Sequence, residues 1–327
     1  MMLDNYSVPL PWHTQQWQQL YRCHQEGRLA HALLLVGQAG LGKALFATNF
    51  AKTLLCKQPV QQIACQQCRD CVWVAAGTHP DLCLLATEKS SQGIKIDQIR
   101  AVIEKLNHTS LAAYKIIVIN PADSLLLAAS HALLKSLEEP SERSLFILLT
   151  EKIERLLPTL RSRCQVIRFA TPEKSLATAW LAQQLPTSTP VDKLYHLSAG
   201  APLLALTYAQ QNYYPFYTDL LASLTQLLNQ ELDPIHCAAH YVKTDAQQLL
   251  FTLLNVVSEL LKCQLLSGYT AIEGALAHLA TCLSTDFLLQ YFDGVMALQA
   301  HTAKITLNLP LMLEDLFSRW AIQGKLC

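Results

Sequence analysis

Apolar residues fall into five short runs in the first half of the chain, and polar or amphipathic segments separate these runs. The runs cover residues 31–36, 82–85, 115–119, 145–150 and 165–169. Short apolar runs without polar alternation are typical of strands that are buried on both faces of a parallel sheet. Apolar residues at helical spacing fill most of the intervals, over 13–30, 44–55, 96–107 and 124–138. The alternation predicts an α/β domain whose parallel sheet carries helices on both faces.

The strand pattern ends after residue 172, and only helical patterns follow. Residues 173–208 predict short helices interrupted at Pro186, Pro190 and Pro202, whereas the pattern from about 209 onward is helical throughout. A proline lacks the backbone donor that a helix needs, so it ends or kinks the helix. We predict three domains, which are an α/β domain over 1–170, a small helical lid over 171–208 and a helical domain over 209–327.

Composition narrows the classes of function. The chain has 327 residues, of which 51% are hydrophobic, and its 25 Lys and Arg residues balance its 25 Asp and Glu residues. A net charge of zero argues against a broad basic face for nucleic acid, because such binding depends on the release of counterions. No stretch reaches 18 uninterrupted apolar residues, and residues 1–12 lack the pattern of a secretion signal. We therefore expect a cytoplasmic protein with reduced cysteines.

Four of the eleven cysteines lie close together in the sequence, at Cys56, Cys65, Cys68 and Cys71. In a reducing compartment, clustered cysteines bind metal more often than they form disulfides. Four thiolates complete a tetrahedral zinc shell with no open position, which is the arrangement of structural rather than catalytic sites. The sequence therefore predicts a structural zinc module at 56–71.

Two alternatives remain open for this module. The four thiols could be unligated, or the segment could be a zinc ribbon that reads nucleic acid. Between the first and the last of these cysteines the only cations are Lys57 and Arg69, Asp70 opposes them, and the first aromatic residue beyond is Trp73. Binding of single strands needs cations and stacking platforms, so we favour a module that stabilises its own segment or contacts a protein.

A glycine-rich segment follows the first predicted strand and opens the next helix, which is the context of a phosphate-binding loop. Gly37, Gly40 and Gly42 allow the backbone to wrap phosphates, and Lys43 could reach the outer phosphates. The next position normally carries a hydroxyl that binds Mg²⁺, but here it is Ala44, whose methyl group cannot coordinate a cation. The sequence therefore predicts a degenerate loop that binds ATP or ADP weakly or not at all.

The acidic partner of this loop is missing as well. ATPases hold Mg²⁺ with an Asp at the end of a neighbouring strand and polarise water with an adjacent carboxylate. The third predicted strand is followed by Asn120 and Pro121, and Asp123 comes three residues later than that position. With both metal-binding positions altered, we expect negligible intrinsic ATP hydrolysis.

Several motifs together resemble the AAA+ clamp-loader subunits of bacterial DNA polymerase III. They are Leu-Leu-Lys-Ser-Leu-Glu-Glu-Pro at 133–140, Ser-Arg-Cys at 162–164, His-Ala at 31–32, His-Pro-Asp at 79–81 and the four cysteines. The resemblance covers residues 9–172 and continues more weakly, but collinearly, to the C-terminus. It implies an AAA+ fold with a helical lid and a C-terminal helical collar. It also implies a heteropentameric ring that places the sliding clamp on primed DNA, as part of a DNA-directed DNA polymerase holoenzyme.

The departures at Ala44, Asn120 and Pro121 resemble the delta-prime branch of that family rather than the gamma and tau motor subunits. By the same resemblance, Arg163 is an arginine finger that acts in trans at an ATP site of an adjacent subunit, and Arg161 is a nearby competitor for that role. The implied partners are the gamma or tau and delta subunits, with the clamp and primer-template DNA reached through the complex. The alternatives are a working gamma-like or tau-like ATPase and a zinc-dependent nucleic-acid binder.

Overall fold

The structure is a computed structural model of the chain and describes residues 9–87, 93–106, 113–269, 273–302 and 308–323. The chain divides into two compact units. The first consists of Met1–Thr187 and Ser198–Leu206, and the second of Ser188–Leu197 and Thr207–Cys327. The segment expected to be a lid contributes to both units, and the three-domain division stays a prediction.

The first unit contains a five-stranded parallel sheet in the order β2-β3-β4-β1-β5. Its strands are β1 (Ala32–Val36), β2 (Leu82–Ala86), β3 (Lys115–Asn120), β4 (Ser144–Thr150) and β5 (Gln165–Arg168). Its helices are α1 (Thr14–Gln25), α2 (Lys43–Leu55), α3 (Arg69–Ala75), α4 (Ile96–Leu106), α5 (Leu127–Glu138), α6 (Pro158–Arg161) and α7 (Lys174–Gln184). Short 3₁₀ helices cover Pro11–His13, Ala122–Ser124 and Ile153–Arg155. All five predicted strands form, which confirms the α/β class.

Two apolar cores cover the two faces of the sheet, because successive side chains of a strand point to opposite faces. On one face, Leu33 and Leu35 of β1 pack with the buried side of α2, including Phe46 and Phe50. On the other face, Leu34 of β1 packs with residues of α4 and α5. The central strands β1 and β4 are buried along their whole length, which explains why they appear in the sequence as unbroken apolar runs.

Two predicted helices are shorter than their apolar patterns. Helix α1 ends at Gln25 because Gly27 takes a positive φ of 66° and the following backbone N–H groups turn back onto the last carbonyls of the helix. Helix α5 begins at Leu127 rather than at residue 124. Backbone hydrogen bonds link Ile94 to Ser124 and Leu126, and they hold the intervening backbone in an extended conformation.

The second unit is helical throughout its described residues. It contains α8 (Val191–Leu197), the end of α9 (Pro202–Gln210), α10 (Tyr213–Leu228), α11 (Pro234–Tyr241), α12 (Ala246–Leu265), α13 (Gly274–Cys282), α14 (Thr285–Thr302) and α15 (Leu309–Gln323). Helix α12 packs against α13 and α14, and α15 packs against α10 and α11. Trp320 is fully buried there, and its indole N–H donates to the carbonyl of Leu224 at 3.0 Å. Among the described helices, none is long and apolar enough to span a membrane.

Candidate functional site

The glycine-rich loop connects β1 to α2 at the carboxyl ends of the parallel strands, where ligands bind in open α/β sheets. Gly40 and Gly42 have positive φ values of 74° and 93°, a conformation that a side chain disfavours. A Cβ atom on Gly40 would lie 2.4 Å from Cβ of Leu204, and the backbone N–H of Leu203 donates to the carbonyl of Gly40 at 3.0 Å. The loop is therefore packed closely against residues of its own unit.

Lys43 is folded back onto this loop. Its ammonium group donates to the carbonyl of Gly37 at 2.5 Å and to that of Gln38 at 2.8 Å. Burial lowers the pKa of Lys43, and the negative charges of Glu151 and Asp123 oppose that change. A lysine that binds phosphate would have to give up these carbonyl contacts. In the present geometry, the ammonium group of Lys43 instead binds the backbone of the loop itself.

The carboxylate of Asp123 lies beside the end of β4. Asp123 lies in the short 3₁₀ helix after β3, and it accepts a hydrogen bond from the Thr150 hydroxyl at 2.7 Å. Thr150 is the last residue of β4 and is buried. Asn120, at the end of β3, provides no carboxylate at this edge of the sheet, but the turn after β3 brings the carboxylate of Asp123 there. The loop still lacks a hydroxyl group, because Ala44 occupies that position.

Two aromatic residues that precede α1 form hydrogen bonds to the backbone of the glycine-rich loop. The indole N–H of Trp12 and Nε2 of His13 both donate to the carbonyl of Leu41, at 2.9 and 2.8 Å. The ring of His13 is buried, with its edges against Phe46 and Phe169. Burial lowers the pKa of His13 to about 4, although its hydrogen bond to Leu41 acts in the opposite direction.

This buried histidine predicts a loss of stability in acid. Its pKa in the folded state lies below the ordinary value of 6.5, so its contribution is complete above that value and declines as the pH falls toward about 4. We expect the unfolding free energy to drop by about 2–3 kcal/mol between pH 7.5 and pH 4.5 from this group. His13→Gln retains a donor for Leu41 but does not titrate in that range. The difference between the two proteins in denaturant titrations at both pH values isolates the effect, and parallel curves would contradict it.

Arg163 lies in the turn between α6 and β5. Its neighbours in the Ser-Arg-Cys motif hold the turn, because the Ser162 hydroxyl donates to the carbonyl of Thr159 at 3.1 Å and Cys164 packs against the sheet core. Burial raises the pKa of the Cys164 thiol to about 11, as expected of a packing residue. The guanidinium of Arg163 remains partly exposed and pairs with Glu138 at 2.5 Å.

The loop and Arg163 lie at opposite edges of the sheet. Gly37 follows the carboxyl end of β1, whereas Arg163 precedes the amino end of β5. The two strands are parallel, with Leu33 opposite Gln165. A parallel strand rises about 3.3 Å per residue, so roughly 13 Å of strand separates the two edges. An arginine side chain is too short to span that distance to the loop of its own chain.

The four cysteine sulfur atoms converge, and all lie within 4.8 Å of one another. The Sγ atoms of Cys56 and Cys68 are 3.9 Å apart, and those of Cys65 and Cys71 are 4.0 Å apart. A tetrahedral metal with metal–sulfur bonds of about 2.3 Å would place its ligands about 3.8 Å apart. The donor set and its spacing therefore fit a metal ion.

The electrostatics of the cluster favour at least one thiolate. Burial acts to raise the pKa of Cys68, but hydrogen bonds from the backbone N–H groups of Cys71 and Lys57 and from nearby thiols outweigh it and lower that pKa to about 6. Burial and the neighbouring thiols raise the pKa of Cys71. Four thiols so close together cannot all ionise without a cation, and a bound metal would supply that charge.

A buried carboxylate connects the cysteine cluster to the sheet. Asp70, in the first turn of α3, is 3.4 Å from Nε2 of His79 and 3.7 Å from the ammonium of Lys57. The backbone N–H of Asp81 donates to Nδ1 of His79 at 3.1 Å, and the other ring nitrogen, Nε2, faces Asp70. Nearby, the guanidinium of Arg69 stacks over the ring of Trp73 at 4.5 Å. Both cations of the module thus have partners within the chain.

Comparisons with known proteins all identify subunits of DNA polymerase III as similar to this chain. Residues 12–173 match the family model described as DNA polymerase III, delta subunit. The DNA polymerase III subunit delta' of Pseudomonas aeruginosa is 31% identical over 95% of this chain and 97% of its own length. That of Escherichia coli K12 is 33% identical over 94% of both chains. The subunit gamma of Buchnera aphidicola subsp. Schizaphis graminum is 34% identical, but over only 42% of this chain and 38% of its own length.

The extent of these matches separates the two kinds of relative. The gamma match covers less than half of either protein, whereas the delta-prime matches to the Pseudomonas and Escherichia proteins run through the sheet, the loop, the cysteine cluster, the Ser-Arg-Cys turn and the helical second unit. Identity above 30% across nearly the whole of both proteins shows that this chain belongs to the family of DNA polymerase III delta-prime subunits.

Proposed function

We propose that this chain is a non-hydrolysing subunit of the DNA polymerase III clamp loader, in the cytoplasm. In this role it would assemble with gamma or tau and delta subunits as a heteropentamer and help to place the sliding clamp on primer-template DNA. It would reach the clamp and the DNA through the complex and would donate Arg163 to an ATP site of a neighbouring subunit. The C-terminal helices would form its part of the collar.

The observation that carries this proposal is the separation between the loop and the arginine. Arg163 lies at the amino edge of the sheet, away from the loop of its own chain at the carboxyl edge. A guanidinium beside a γ-phosphate neutralises charge that develops in the transition state. An arginine placed at the opposite edge can do this only for another protein's nucleotide. The partial exposure of Arg163 leaves it accessible to such a partner.

The loop supports the other half of the proposal. Lys43 bonds to carbonyls of the loop itself, and Leu203 and Leu204 pack against Gly40. A nucleotide would have to displace these contacts and would find no hydroxyl at Ala44 for Mg²⁺. We therefore propose that nucleotide binding is weak or absent and that the chain has no catalysis of its own.

We further propose that the metal at the cysteine cluster is zinc. An all-thiolate, four-coordinate set is typical of structural zinc, and it has no open position for a substrate. The zinc would stabilise the segment between α2 and α3 and fix α3 beside the turn that precedes β2. The pairing of Arg69 with Trp73 and of Lys57 with Asp70 speaks against a nucleic-acid-binding ribbon.

One observation favours a second candidate, a gamma-like or tau-like ATPase. Asp123 lies close enough to Lys43 for its charge to act on the lysine, so it offers a carboxylate to a cation near the loop. Its oxygen already accepts from Thr150, and the missing hydroxyl at Ala44 is not replaced. We therefore rank this candidate second.

A hydrolysis assay on the isolated chain separates the two candidates. We expect no Mg²⁺-dependent ATP turnover above that of a Lys43→Ala variant, because neither metal position is complete. Lys43→Ala is the matched control, since it removes the loop cation and any residual rate that persists in it comes from a contaminant. Turnover that requires Mg²⁺ and disappears in Lys43→Ala would overturn the proposal in favour of the ATPase.

A further inference from the structure

Two contacts from two different helices hold the guanidinium of Arg163. Its Nη2 pairs with Oε1 of Glu138 at 2.5 Å, and its Nη1 donates to the carbonyl of Thr159 at 2.9 Å. Glu138 is the last residue of α5, and Thr159 belongs to α6. A planar guanidinium that is held at two of its nitrogens has a fixed orientation, so the direction in which Arg163 points is set within the chain.

Stability does not explain this arrangement. The side chains of Arg163 and Glu138 are 34% and 49% exposed, and ion pairs at such sites contribute roughly 0–1 kcal/mol. Glu138 also places a negative charge at the C-terminus of a helix, where the helix dipole disfavours it. Glu139, the next residue, has no ion pair or side-chain hydrogen bond within the described part of the chain. We therefore attribute to Glu138 the role of holding the guanidinium of Arg163, rather than a role in stabilising the fold.

The remaining donors of Arg163 suit a phosphate. A guanidinium has five N–H groups, and the two contacts above leave donors for a further anion. A mobile arginine loses conformational entropy when it is fixed on a ligand. If the side chain is already oriented, this entropy is not lost again when the ligand binds. Within this chain, the contacts with Glu138 and Thr159 thus set one orientation of the Arg163 guanidinium.

We propose that Glu138 is a positioning residue for Arg163, which fixes the guanidinium so that it meets the phosphate groups of a neighbouring subunit's ATP in an oriented form. This inference rests on the proposed donation of Arg163 to that site. Glu138 contacts no nucleotide itself and acts through Arg163. The opposite role, in which Glu138 holds Arg163 away from the site, predicts the opposite sign in the experiment below.

The test uses reconstituted clamp loader with variants of this subunit and measures single-turnover ATP hydrolysis at saturating DNA and clamp. At the site that this chain would complete, we expect Glu138→Ala to lower the rate constant of hydrolysis by on the order of three- to tenfold and to leave the ATP concentration for half-maximal rate unchanged, because the nucleotide-binding contacts lie on the neighbour. Glu138→Gln keeps an acceptor oxygen and should recover part of the rate. Glu139→Gln, one position away, should leave the rate unchanged.

A double variant shows whether Glu138 acts through the arginine. In an Arg163→Ala background, Glu138→Ala should cause no further loss, since there is no guanidinium left to orient. If Arg163→Ala lowers hydrolysis but Glu138→Ala does not, or if Glu138→Ala raises it, the positioning role is overturned while the donated arginine stands. If Arg163→Ala itself has no effect, the donation of the arginine fails, and the inference fails with it.

Discussion

Replacing Arg163 by alanine is expected to lower ATP turnover by about 10³-fold at the one site that we propose this chain completes in the assembled clamp loader, because an arginine finger contributes at least that factor. Sites that other subunits complete keep their rates, so the steady-state rate of the whole complex falls by less. A pre-steady-state measurement should therefore show one site missing from the fast phase. The ring should still form, since the Arg163 side chain is partly exposed and belongs to none of the buried cores.

Two further variants make this result specific. Arg163→Lys retains the positive charge but not the planar fork, and it should recover only a small part of the activity. Arg161→Ala removes the other candidate arginine, whose side chain makes no ion pair with any described residue, and it should leave hydrolysis unchanged. A complex with Arg163→Ala that turns over ATP at the normal rate at every site would rule out the finger. A loss caused by Arg161→Ala instead would reassign it.

Removing the metal is the change with the largest expected effect on the fold. The segment between α2 and α3 has only a small buried cluster, formed by Cys56, Ala64 and Cys71 with the other two cysteines packed against it, so it has no apolar core to hold it without metal. Structural zinc contributes on the order of 10 kcal/mol of apparent binding free energy in small modules. We expect chelation, or Cys71→Ser, to release one zinc per chain and to expose residues 57–67 to proteases. Metal analysis and limited proteolysis provide the readouts.

The rest of the first unit should survive that loss. The sheet is covered by two cores that do not include the cysteines, so its far-ultraviolet circular dichroism should change little. Cys23→Ser is the matched control, because Cys23 lies in α1 outside the cluster, and it should keep both the zinc and the protease resistance. A purified protein that contains no zinc and still resists cleavage at 57–67 would refute the metal assignment.

The strands and the cysteine cluster could be recognised from sequence because their signals are local. A strand buried on both faces needs an unbroken apolar run, and β1 and β4 have such runs. The candidate metal site depends on four residues of one type within a short segment, and their sulfur atoms converge because the chain between them is short. The departure at Ala44 is equally local, since it stands next to the lysine of the loop.

Helix boundaries were less predictable, since contacts distant in sequence decide them. The apolar pattern of α5 extends back to residue 124, but the hydrogen bonds between Ile94 and the residues before the helix keep that part extended. Spacing along the sequence does not indicate that the short 3₁₀ helix after β3 brings Asp123 to Thr150. Counting residues from the end of β3 does not take into account the 3₁₀ helix at Ala122–Ser124, which changes the direction of the backbone after the strand.

The sequence by itself determined the class of fold and the clustering of four thiols, and it shows the departure at Ala44 from a phosphate-binding loop, because each depends on neighbouring residues and on their spacing. Only the tertiary structure decided where Arg163 lies relative to the loop and which acid holds it. Strand order and register place the arginine at the amino edge of the sheet, and the ends of α5 and α6 meet there to bring Glu138 and Thr159 to its guanidinium. Such juxtapositions arise from the packing of distant segments, and no local periodicity encodes them.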